Sequence, residues 1–202
     1  QLERPQLRPR NIRKGQTPQE ALTDIRSRDA RISAARPGVP HFRFMRTLIE
    51  AFESQFSVLH ERSVSFVGSA DEELLFRRPS FAEEHSGGFT VGENIIRSAA
   101  VVEMTFGGIT RRLWDDPFEW TLPEALGSTA KIIEYLGEVD ALRLSGFRFF
   151  VDDSELTRAI PAPSEMRTLG AILLETIARA EHFQGRAFAF YQALGGRKPP
   201  RR

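Results

Sequence analysis

Cysteine is absent from the chain, which excludes disulfides, thiolate metal sites and cysteine nucleophiles together. The absence fits a reducing compartment, so a cytoplasmic location is the expectation. Long apolar runs are missing as well. The longest, such as Ala187 to Tyr191, cover about five residues against the ~20 that a membrane-spanning helix needs. No initiator methionine and no signal-peptide pattern open the chain, so a trimmed, processed or engineered N-terminus is the expectation. Neither a phosphate-binding glycine loop nor a Ser-His-Asp spacing is evident.

What is present is enough for one domain with appendages and a substantial core: 202 residues, 16 of them phenylalanine. The net charge of +1 hides an asymmetry. Residues 1–40 hold nine basic and four acidic side chains (+5), and residues 197–202 hold four basic ones and no acid (+4), which leaves −8 on residues 41–196. A basic arm can hold nucleic acid or an anionic membrane. No recognised reading motif accompanies this one, which weighs against nucleic acid.

Residues 1–16 read as an extended arm rich in Arg, Pro and Gln. Thr17-Pro18-Gln19-Glu20 begins a short helix to about Ala34, and Pro37-Gly38-Val39-Pro40 stops it. The next helix is expected over Phe42–Val67, where Met45, Leu48, Ile49, Phe52, Phe56 and Leu59 keep a three-to-four spacing. A short helical turn follows, carrying Leu74, Leu75 and Phe76. Thr90-Val91-Gly92-Glu93 is a capping box opening a helix to about Leu113, and Thr121-Leu122-Pro123-Glu124 opens another that Ser145-Gly146 should break. Phe147 to Asp153 has strand preference and could pair with Leu156 to Ile160 in a small hairpin. The last helix runs from about 167 to 194, with Leu169, Ile172, Leu173, Thr176, Ala180, Phe183, Ala187, Phe190 and Leu194 on one stripe and Gly195-Gly196 at its end.

The expected fold is therefore all-α: an antiparallel four-helix bundle over residues 41–196 with a short extra N-terminal helix in a basic arm (1–40), a small β-hairpin near 147–160 and a basic tail (197–202). The connections are long enough for one crossover, so the winding order stays open.

Three motifs in this order resemble the DinB-like (DinB/YfiT) superfamily: Leu74-Leu75-Phe76-Arg77-Arg78-Pro79, Phe89-Thr90-Val91-Gly92-Glu93, and His182-Phe183-Gln184-Gly185-Arg186. The likeness covers roughly Phe42 to Leu194. It implies a bacterial protein with a four-helix bundle and, in most members, a three-histidine divalent-metal site serving transfer or hydrolysis of thiol-cofactor conjugates. Carried over position by position, the ligand positions fall on Arg97, Arg179 and Phe183. A guanidinium stays protonated and has no lone pair to give, and a phenyl ring offers no ligand. The expectation is no metal cofactor. The alternative is a rearranged zinc or nickel site drawn from His182, His60 and Glu103, with Glu93 a further candidate.

Charge would then stand where the ion stood. Glu93 precedes Arg97 by four residues, and Glu175 precedes Arg179 by four, the favourable order for helical ion pairs. Either these are surface pairs, or they satisfy inward guanidiniums around a pocket for a small anionic ligand. The favoured reading is a binding or interaction module without the family's catalytic metal, with a second copy of the chain and a small anion as candidate partners. The alternative is a metal-dependent transferase or hydrolase with a rearranged site.

Overall fold

The computed structural model describes residues 45–78, 89–117 and 126–197. The basic arm with its expected helix, the 79–88 loop, the Thr121–Glu124 capping box and most of the tail lie outside these residues. Five helices are present among them: α1 (Thr47–Ser69), α2 (Glu72–Phe76), α3 (Val91–Arg111), α4 (Thr129–Phe147) and α5 (Leu169–Ala193). A 3-10 turn (Asp153–Thr157) and two short strands, β1 (Ala159–Pro161) and β2 (Met166–Thr168), connect α4 to α5.

The four long helices form the expected four-helix bundle, in which two neighbouring pairs are antiparallel and two parallel, and their directions resolve the winding order. Gly92 at the start of α3 approaches Leu75 of α2, and the Thr129 amide at the start of α4 donates to Glu72, so both helices begin at the end where α1 finishes. Asp153, just beyond α4, accepts from the Leu48 and Ile49 amides at the start of α1 (3.0–3.1 Å). That carboxylate caps α1, whose own N-cap, Arg46, makes no side-chain cap bond. Helix α5 runs alongside α1, since Gln184 donates to the Leu59 carbonyl and Tyr191 accepts from the Asp71 amide. The order is up-down-down-up, with α3 and α4 parallel. Around the bundle α1 packs on α4 and α5, and α3 packs on the same two.

Local signals hold where they are self-contained. Thr90 and Glu93 form the complete capping box at α3, with the Thr90 amide donating to Glu93 Oε2 at 2.5 Å and the Glu93 amide donating to Thr90 Oγ1 at 3.1 Å. Three boundaries differ from expectation. Helix α1 begins at Thr47, with Met45 and Arg46 non-helical. Helix α4 starts at Thr129, where Ser128 supplies the N-cap oxygen to Lys131. It continues through Gly146 to Phe147, since this glycine serves packing: a Cβ there would lie 2.4 Å from Phe106 Cδ1. The hairpin forms downstream of 147–158, pairing Ala159 with Thr168 and Pro161 with Met166. Of the segment expected as its second strand, Leu156 and Thr157 end the 3-10 turn, while Ala159 and Ile160 lie in β1, whose partner is β2 rather than 147–153.

Aromatic rings fill the core. Phe106 sits 5.5 Å from Phe56 and 5.1 Å from Phe147, and Phe147 stacks edge-on against Phe150. Helix α3 is the most enclosed element, buried from Val91 to Gly108 on nearly every side. No helix among the described residues is long and apolar enough to cross a membrane.

Candidate functional site

The register between α3 and α5 decides which of their side chains meet. Two buried contacts hold it. Ser98 donates to the Ala180 carbonyl at 2.8 Å, and Thr105 and Thr176 share a hydroxyl bond of 2.7 Å. Arg97 and Arg179, each one residue before the Ser98–Ala180 contact, are thereby brought to one cavity together with Phe183 one turn further along α5. Its open volume is about 300 Å3, and Met104, Asp116 and Pro117 complete much of its wall.

Arg97 is half-buried, and its guanidinium carbon lies 3.8 Å from the centroid of the Phe89 ring. Stacking uses the flat face of the cation and leaves its N–H groups directed outward in the plane. Its Nε is buried without a hydrogen-bond partner among the described residues. Arg186 reaches the same ring from 5.9 Å. Arg179 is exposed and Phe183 half-buried. Among the described residues two guanidiniums and one carboxylate, that of Asp116, line this wall and leave it with a net positive charge, on a segment of the chain that is strongly acidic.

The expected acid partners behave otherwise. The Glu93 carboxylate closes the capping box and makes no ion pair with Arg97. Glu175 lies on the surface and bonds Arg167 Nη1 at 2.5 Å in place of Arg179. The Arg167 and Glu175 side chains keep 31% and 46% exposure, so Glu175→Ala is expected to cost less than ~1 kcal/mol in a denaturant titration. A loss of several kcal/mol would mean that the carboxylate neutralises a buried charge.

The alternative metal ligands are not brought together. His60 lies in α1 against a separate interior cavity that Asp140 and Arg143 also line, and those two groups satisfy each other at 2.6 Å. His182 is exposed, edge-on to Phe183. Glu103 accepts from the Tyr135 hydroxyl at 2.7 Å. Burial, reinforced by this bond and by the charge of Glu103, raises the Tyr135 pKa far above its ordinary value and keeps the phenol protonated as a donor. Among the described residues no three His, Asp or Glu side chains gather where they could hold an ion.

No protein family and no curated protein matches the sequence. Among solved structures, a DinB-like protein from Bacillus cereus is similar over 76% of this chain and 97% of its own, with a TM-score of 0.60 and 15% identity. The fold is DinB-like.

Within the DinB-like bundle, the three positions that the sequence resemblance assigns to metal ligands line one cavity in this chain. Their donor chemistry does not fit a divalent ion: two guanidiniums repel it and a phenyl group gives it no lone pair. The sequence pattern did not show Arg167 as the partner of Glu175, nor that Trp114 packs on the α3 backbone beside this cavity. The signal for Trp114 was the Gly107-Gly108 pair. A Cβ on Gly108 would sit 2.3 Å from the indole, so the ring lies directly on the α3 backbone.

Proposed function

We propose that this protein is a DinB-like binding module that works without the family's catalytic metal and takes a small anionic ligand between Arg97 and Arg179. The observation that carries the reading is the shared cavity of Arg97, Arg179 and Phe183, with a buried Arg97 Nε that has no partner among the described residues. A carboxylate or phosphate oxygen supplies what that nitrogen lacks, and planar guanidiniums suit bidentate contact with either group. The phenyl ring of Phe183 forms an apolar wall beside them.

The competing reading is a metal-dependent transferase or hydrolase. It needs lone-pair donors at a common point, and His60, Glu103 and His182 are each held in different surroundings. Elemental analysis of protein purified from cells supplied with zinc, nickel and manganese separates the two. The expected result is well below one metal ion per chain. A stoichiometric metal would overturn the proposal.

A further inference from the structure

A larger cavity, with an open volume of about 600 Å3, adjoins the one at Arg97, and the two share Met104 and Arg179 in their walls. Three features describe what it could accept. Thr105 and Thr176 are buried and form part of its lining. Thr176 donates to the Ile172 carbonyl at 2.8 Å, so Thr105 is the donor in the bond between the two hydroxyls. This part of the lining is thus satisfied internally and demands no hydrogen-bond donor from a ligand. At the rim, Arg167 and Glu175 pair with each other. One wall is Trp114. Arg112, in the left-handed region at φ 59°, turns the chain back so that the indole rests on Gly108. A flat aromatic wall with Ile172 and Met104 beside it suits a flat apolar group.

We infer that the two cavities take one ligand: an organic anion whose head lies between Arg97 and Arg179 and whose aromatic body lies against Trp114. Arg179, common to both walls, stands where head and body join. The inference rests on the anion reading above and adds the chemical class of the ligand.

Calorimetric titration of the full chain with inorganic phosphate and with phenyl phosphate tests it. Phenyl phosphate is expected to bind at least ~10-fold more tightly. Trp114→Ala should remove that advantage while leaving the inorganic phosphate affinity within ~2-fold, and Trp114→Phe should keep most of it. If Trp114→Ala fails to fold, Trp114→Leu provides the same test, because it keeps apolar bulk against Gly108 and removes the flat ring. Equal affinity for the two probes, or an advantage that survives these changes, would overturn the inference and leave the anion reading standing. Failure of both probes to bind would overturn both.

Discussion

The triple variant Arg97→His, Arg179→His and Phe183→His is expected to take up zinc or nickel at one ion per chain, where the parent takes up none. The Ser98–Ala180 and Thr105–Thr176 contacts fix the register of α3 against α5 and involve none of the three substituted positions. Two imidazoles four residues apart on α5 share one face, and a third comes from α3 across the cavity. Removing the half-buried Arg97 and the exposed Arg179 cations also removes the repulsion that a divalent ion would meet. Metal content after dialysis, with circular dichroism to confirm folding, gives the result. A folded triple variant that binds neither metal would show that the three positions do not converge closely enough to share an ion.

Phe106→Ala is expected to lower stability by ~3–5 kcal/mol, read from denaturant unfolding. The ring is fully buried, contacts Phe56 and Phe147, and covers the backbone of α4 at Gly146. Gly146→Ala alone should cost ~1–3 kcal/mol, because its new methyl meets the ring. In the Phe106→Ala background the same methyl enters vacated space, so the two changes should not add. Additive losses would mean that the α3–α4 contact is not made through this pair.

The pairing of glycine with ring shows which parts of the fold could be read from sequence. The Thr90–Glu93 box was legible because its donors and acceptors lie within four residues. Gly146 was misread as a helix stop, since its reason is a ring contributed from 40 positions away. On α5 the expected stripe agrees with the buried face through Ala180 and again at Ala187. Elsewhere along its C-terminal half Gln184 and Tyr191 are buried where Phe183 and Phe190 were expected. A straight helix turns every 3.6 residues, so a face counted in sevens drifts off the true one. Gln184 can occupy the buried place because it donates to Leu59 O and to Ser63 Oγ. The drift leaves Phe183 at the edge of the core, where it lines the cavity.

The site was legible in part for the same reasons. The resemblance to the DinB-like superfamily pointed to the positions of Arg97, Arg179 and Phe183, and these three residues line one cavity. Their carboxylate partners did not follow. Glu93 had a stronger local use in the cap, and Arg167 reaches Glu175 from β2, an element whose location the sequence pattern did not show.

The central claim is that the Arg97–Arg179 cavity holds an anion without a metal. Titration with inorganic phosphate before and after exhaustive chelation tests it most directly. The account predicts one phosphate per chain, the same affinity in both preparations, and a loss of at least ~10-fold when Arg97 and Arg179 are both changed to Ala. No binding in either preparation would contradict it, as would binding that disappears on chelation and returns with added zinc.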